Sequence, residues 1–311
     1  MDSSHHIRYL TRQDVDIAKW DDCIRRSPNG LIYGRSFFLD ALTAGRWDAL
    51  VQGDYSSVMP LPWNRKWSFT YLYQPFFAPM LGVFGETRES SLPSFLRAIP
   101  GHFSFWEIDA NETNHLSAFT DPPLQKTMRM NYLLPLANTA QNIDDGYKRL
   151  ARRMVQKAAE SNLQVHRGMA PAEVVEHFRQ AYSRRRTGIP DNIFHRLTAC
   201  ADTAIGQGHA TTYLAKWPDN QVAAFYLVFS DERFVYSVLG GSTDKGKKEG
   251  AFYLVTDAAI KDHCNSERSF RFEGSDVTGI AFFNAQFGPT PTPYAHLRLN
   301  RLPFPINLLK K

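Results

Sequence analysis

The sequence is poor in cysteine, has no long hydrophobic run and carries none of the compact nucleotide or metal signatures that would fix a function at once. Its three cysteines, Cys23, Cys200 and Cys264, lie far apart with no C-x-x-C pair, which argues against a disulfide framework or a zinc cluster and suits a reducing compartment. No stretch reaches the roughly 18 uninterrupted apolar residues of a membrane span. The opening MDSSHHIRYLTRQ lacks the apolar middle of a secretion signal, so the expected setting is the cytoplasm, with no membrane span. The histidines show no metal-ligand spacing, and neither a Gly-x-Ser-x-Gly elbow nor a Walker loop is present, so no metal is expected. A basic stripe interleaved with aromatics is also missing, which argues against DNA as a partner.

What is present is apolar material for two cores: 311 residues, 43% hydrophobic and 13% aromatic, exceed the usual single-core limit. The net charge of +5 is modest, but basic residues gather at 148–157, 179–186 and 245–248, in or just before the second half, as an anionic ligand there would require.

The first half reads as a strand at 7–10, a helix over 14–26 ended by Ser27-Pro28-Asn29-Gly30, and strands at 46–52 and 55–61 around the Gly53-Asp54 turn. A strand at 67–73, a helix at 90–98 and strands at 102–108 and 125–136 follow. Over 144–163 the period becomes helical: Tyr147, Leu150, Ala151, Met154 and Ala158 share a stripe opposite Arg149, Arg152, Arg153 and Gln156. This basic helix is expected to bridge two domains, 1–143 and 144–311. The second half then reads strand (164–166), helices (171–185, 192–207), three strands (211–217, 221–230, 233–239), helix (249–263), strand (269–273), helix (279–287) and strand (296–302).

That order resembles the GNAT (acyl-CoA N-acyltransferase) fold, and three segments are similar to its Fem-type bacterial branch. YKRLARRMVQKAAESNLQV, from Tyr147, resembles a basic helix with a Lys-Ala pair before a short strand. YSVLGGSTDKGKKEGA, from Tyr236, is similar to the strand, loop and helix after the central hairpin. FRFEGSDVTGIAFFNAQFG, from Phe270, resembles the closing strand, Gly turn and helix ending in Phe-Gly. LYQPFFAPMLGVF, from Leu72, is similar to the Pro- and Gly-rich strand end of the Fem N-terminal domain. The resemblance implies an α/β (α+β mixed sheet) protein of two tandem GNAT-like domains, with two splayed central strands in the second forming a groove for Gly241 and Ser242. It implies an N-acyltransferase moving an acyl or aminoacyl group to an amine on a small molecule or cell-envelope precursor. The co-substrate is acyl-CoA first and aminoacyl-tRNA second, with tRNA a possible carrier partner and no permanently bound cofactor. The chain departs from the pattern twice: GGSTDKGKKEGA does not match the usual pyrophosphate loop, and Ala281-Phe282-Phe283-Asn284 holds no tyrosine to protonate a leaving thiolate. Both departures suit the alternative, a non-catalytic tandem-GNAT binding protein that has lost its donor.

Gly240, Gly241 and Ser242, followed by Lys245, Lys247 and Lys248, are expected between a strand and a helix start, where amides and lysines suit donor phosphates. A loop of solvated lysines is the competing reading. Glu273, with Ser275 beside it, is expected at a strand end, where a carboxylate can take the proton of an acceptor amine; a turn carboxylate bonded to backbone amides is the other possibility. Arg149, Arg152, Arg153 and the Arg184-Arg185-Arg186 run are candidate clamps for an anionic substrate, and Tyr73 a candidate groove residue.

Overall fold

The computed structural model describes residues 6–85, 91–116, 124–182, 188–274 and 276–309. Two compact units emerge, one formed by 1–130 with 293–311 and the other by 131–292.

The first unit runs β1 (Ile7–Leu10), α1 (Ile17–Arg26), α2 (Ser36–Thr43), β2 (Trp47–Gln52), β3 (Ser57–Lys66), β4 (Phe69–Leu72), β5 (Phe84–Gly85), α3 (Ser91–Arg97) and β6 (Phe103–Asp109), into the start of β7 (Gln125–Pro135). Helix α1 begins where Asp16 accepts the Lys19 amide and ends where Ser27 Oγ donates to the Cys23 carbonyl at 2.6 Å. Its buried Trp20 meets the Trp47 ring at 4.9 Å, joining helix to sheet. Helix α2 is absent from the sequence reading: its first amide, that of Ser36, is capped by Asp21, fifteen residues upstream in α1, at 2.7 Å. The strands pair in the order β1-β2-β3-β4-β6, with β4 and β6 parallel and the rest antiparallel. Beyond β4 the chain does not leave the parallel pair open. Gln74 accepts the Asp109 amide at 3.0 Å and donates to the Ala78 carbonyl, and the Leu81 amide donates to the Asp109 carbonyl at 2.8 Å, so residues 74–81 fill that edge.

The second unit comprises α4 (Ala140–Gly146), α5 (Arg149–Glu160), β8 (Gln164–Arg167), α6 (Pro171–Tyr182), α7 (Asp191–Gly206), β9 (Ala210–Lys216), β10 (Val222–Ser230), β11 (Phe234–Ser242), α8 (Asp244–Glu249), α9 (Ala251–Lys261), β12 (Ser269–Arg271) and α10 (Thr278–Asn284). Its strands lie in the order β12-β11-β10-β9-β8, and Leu133–Pro135 of β7 pair antiparallel with β12. The buried core joins α5 and α9 to β9 and β10 through Ala151, Ala158, Val255, Ala259, Tyr213 and Tyr226.

Strand β13 (Thr290–Asn300) follows, pairing antiparallel with β6 from His296 to Asn300. It buries Leu297 and Leu299 in the first unit's core, so the compact units depart from a division at 143/144. The helix expected over 144–163 is also two. Tyr147 is a buried break between α4 and α5: its hydroxyl donates to Asp257 at 3.1 Å, its ring meets Phe287, and the next amide, Lys148, donates to the Gln286 carbonyl. No helix among the described residues is long and apolar enough to cross a membrane.

Candidate functional site

Among the described residues the second unit contains one parallel pair, β11 and β12, and it holds together for only three residues, Phe234–Tyr236 against Ser269–Arg271. From Ser237 to Ser242, β11 keeps β10 on one side, while no strand among the described residues pairs with its other edge. The parting begins at an irregularity. Leu227 pairs with Leu239 and Val228 with Ser237, leaving Val238 as an extra residue that bulges from the ladder. A bulge at the fork re-aims the backbone, so beyond it the peptide groups on that edge are not taken up by a strand among the described residues.

Gly240 and Gly241 lie inside this strand, paired with Tyr226 and Phe225, and not in the loop expected from the sequence. Their lack of side chains has a packing cause. A Cβ on Gly240 would stand 2.5 Å from the Tyr226 ring and 2.7 Å from Phe252, and one on Gly241 would stand 2.7 Å from the Tyr182 ring and hydroxyl. Tyr182, the last residue of α6, is thereby placed against β11. The sequence reading passed over it; the glycine pair in an apolar strand signals a bulky neighbour without naming it.

After Ser242 the chain turns into α8, a short helix where the cap residue's amide and those of Gly246 and Lys247 are engaged. The Thr243 amide donates to the Ala223 carbonyl at 3.0 Å, Thr243 Oγ1 accepts the Gly246 amide at 3.1 Å, and the Lys247 amide donates to the Thr243 carbonyl at 2.8 Å. Lys245 is engaged too, its ammonium 4.1 Å from the Trp217 ring centroid, while Trp217 Nε1 donates to Glu249 at 2.7 Å. Lys247 and Lys248 are exposed. At Gly250, with φ +81°, α8 stops and a Cβ would fall 2.3 Å from the Met154 carbonyl, so only glycine lets α8 approach α5 this closely. That approach sets Lys247 and Lys248 beside the helix carrying Arg149, Arg152, Arg153 and Lys157, all exposed and without an ion pair among the described residues.

Glu273 sits two residues past β12 in a left-handed conformation, φ +51°, and is 7% exposed. Its carboxylate accepts Arg271 Nε at 2.9 Å, its amide donates to Asn131 Oδ1 at 3.0 Å, and its carbonyl accepts from Asn284 Nδ2 at 3.0 Å. Arg271 is 1% exposed and lies over the Phe234 ring of β11. Taking a proton from an amine would neutralise one member of this buried pair and leave the Arg271 charge uncompensated. The geometry thus favours a structural role for Glu273, held by Arg271 where the turn-carboxylate reading expects backbone amides. Ser275 and Arg184, Arg185 and Arg186 lie outside the described residues. Tyr73 belongs to the first unit, half-buried, with its ring edge-on to Tyr71 at 6.3 Å.

Cysteine is not poised for covalent chemistry. Burial pushes the Cys200 thiol up to about 12 and raises those of Cys23 and Cys264, so all three stay protonated at neutral pH.

No protein-family model and no curated protein sequence matches the chain. Solved structures do. FemX superposes with a TM-score of 0.64 at 12% identity over 93% of this chain and 96% of its own. L-PGS from Bacillus licheniformis gives 0.55 at 11% identity over 94% and 95%. A tandem GNAT protein from the clavulanic acid biosynthesis pathway gives 0.51 at 12% over 94% and 98%. The fold is therefore the tandem GNAT-like α/β fold that the element order implied.

Proposed function

We propose that the chain is an N-acyltransferase that binds an activated acyl carrier along the open edge of β11 and passes the acyl group to an amine. The observation that carries this reading is the fork itself: a parallel pair that parts at the Val238 bulge and leaves strand edge available. A neutral amine nitrogen attacks the acyl carbon, the carbonyl electrons move onto oxygen, and amides on the β11 edge stabilise that oxyanion. The oxyanion then collapses to the new amide carbonyl, and the bond from carbon to the carrier, C–S in a thioester or C–O in an ester, breaks with its electrons on the leaving atom. The nitrogen, made cationic by the attack, gives up a proton that balances the one the leaving atom takes up. The Tyr182 hydroxyl stands beside Gly241, where it can return a proton to the departing atom. Holding carrier and amine together supplies much of the acceleration.

Lys247 and Lys248 of α8, with Arg153 and Lys157 of α5, are the cations we assign to the carrier's phosphates, and Gly240, Gly241 and Ser242 to the strand against which its arm lies. Lysines supply charge without fixed geometry, suiting a flexible phosphorylated arm. Acyl-CoA is the first choice of carrier and aminoacyl-tRNA the second, both available in the cytoplasm. The acceptor is an amine on a small molecule or cell-envelope precursor, with Arg149 and Arg152 suited to an anionic group on it.

A second reading, a binding protein without turnover, draws on the engaged Gly246 and Lys247 amides of α8 and the absence of tyrosine at 281–284. Calorimetric titration with acetyl-CoA, longer acyl-CoAs and a non-hydrolysable aminoacyl-tRNA separates the two. Binding of one carrier class, weakened about tenfold or more by Lys247→Gln/Lys248→Gln, supports transfer. Absence of binding to every carrier leaves the second reading.

A further inference from the structure

On the first unit, the turn between β3 and β4 and the segment following β13 face each other across a cavity of about 110 Å³. Trp67, Phe69 and Tyr71 line one wall and Leu302 and Ile306 the other. Large apolar side chains on the same two segments are left exposed: Trp67 is 67% exposed, Phe304 79% and Leu308 51%. Residues 62–72 and 297–309 contain no aspartate or glutamate. Arg65, Lys66 and Arg301 are exposed on them and make no ion pair among the described residues, the Lys66 ammonium resting 5.2 Å from the Trp67 ring centroid.

Apolar side chains left in water beside uncompensated cations call for a partner that is both apolar and anionic. A bilayer interface has this combination: indole rings settle at headgroup depth, apolar tips reach the acyl boundary, and Lys and Arg meet lipid phosphates. A polynucleotide fits less well, because Leu302, Ile306 and the exposed Leu308 of the segment following β13 are aliphatic and leave Phe304 as its one ring for a base to stack on. The geometry points to this face as a docking surface for an anionic lipid bilayer. Trp67, Phe304 and Leu308 enter the interface, and Arg65, Lys66 and Arg301 sit at the phosphates. The inference is independent of the transfer reaction proposed above.

Co-sedimentation of the full chain with phosphatidylcholine vesicles, with and without phosphatidylglycerol, tests it. Binding should require phosphatidylglycerol and weaken as salt is raised. Arg65→Gln/Lys66→Gln/Arg301→Gln should lower affinity on the order of 100-fold, each cation contributing roughly fivefold. Trp67→Ala/Phe304→Ala should lower it by about tenfold or more while the cations remain. All five positions are solvent-exposed, so melting temperatures should stay unchanged and folding will not confound the result. Arg149→Gln/Arg152→Gln, on the second unit, should leave vesicle binding within about twofold; an equal loss there would mean that net charge alone is responsible. No binding to phosphatidylglycerol vesicles, or binding to single-stranded RNA of equal strength that survives Trp67→Ala/Phe304→Ala, overturns the proposal.

Discussion

Glu273 shows how little a residue's type says about its task until its neighbours are known. From sequence, a carboxylate before Gly-Ser at a strand end suits a base; in the fold it is the counter-ion of Arg271, 2.9 Å away and almost wholly buried. Replacing it by Ala should cost roughly 3–5 kcal/mol, because the guanidinium would remain buried without its partner. Glu273→Gln keeps an acceptor for Arg271 Nε and should cost about 1–3 kcal/mol. Its turnover should stay within a few-fold of the parent with an unshifted pH profile; a loss of about 100-fold that eases as pH rises would restore the base reading. Asp257 offers a test of opposite character. Burial raises its carboxyl, although Lys261 and Tyr147 act to lower it, whereas Lys261 is raised because Asp257 and Asp144 together outweigh its own burial. An acid raised in the fold binds its proton more tightly there than when unfolded. Its contribution is present below the unfolded value and lost as pH climbs through the folded one. The melting temperature of Asp257→Asn relative to the parent should therefore rise with pH across the acidic range, measured by calorimetry.

At the scale of elements, periodicity exposed the strands and long helices, because each turns an apolar stripe to one core. Helix α2 escaped because its cap comes from Asp21 in another helix, and the α4–α5 break escaped because Tyr147 stays on the apolar stripe while its hydroxyl reaches Asp257. Strand β11 was cut short at its glycines, which usually end strands; here they admit Tyr182 and Phe252. Of the candidate site, the lysines of α8 and the cations of α5 were legible as charge runs, but their adjacency depends on the single close approach at Gly250. Gly250→Ala should therefore act twice, through the left-handed backbone and through contact with the Met154 carbonyl, and cost about 2 kcal/mol or more. If the α5 and α8 cations serve one carrier, the variant's carrier affinity should fall further than its helix content by circular dichroism. Unchanged melting and affinity would mean that α8 does not depend on this contact.

For the whole chain, the order of elements was readable and the allotment of the last strand was not. The segment after α10 looks like the closing strand of the second half in sequence. Yet its register with β6, His296 against Asp109 through Asn300 against Phe105, assigns it to the first unit, where His296 Nδ1 lies 2.8 Å from the buried Asp109 carboxylate. Pairing across nearly two hundred residues leaves no local mark, since the alternation of β13 suits either sheet. The consequence is a separation between position in sequence and site of damage. Leu297 is fully buried among Phe103, Trp106 and Ile108, so Leu297→Ala should destabilise the first unit by roughly 2–5 kcal/mol through the cavity it leaves. Hydrogen exchange should then show protection lost in β2, β3 and β6 while β9 and β10 keep theirs. Carrier affinity at the β11 edge should stay within about twofold of the parent, because that edge belongs to the second unit. Protection lost from β9 and β10 instead would place β13 in the second unit's cooperative structure and contradict the register observed here.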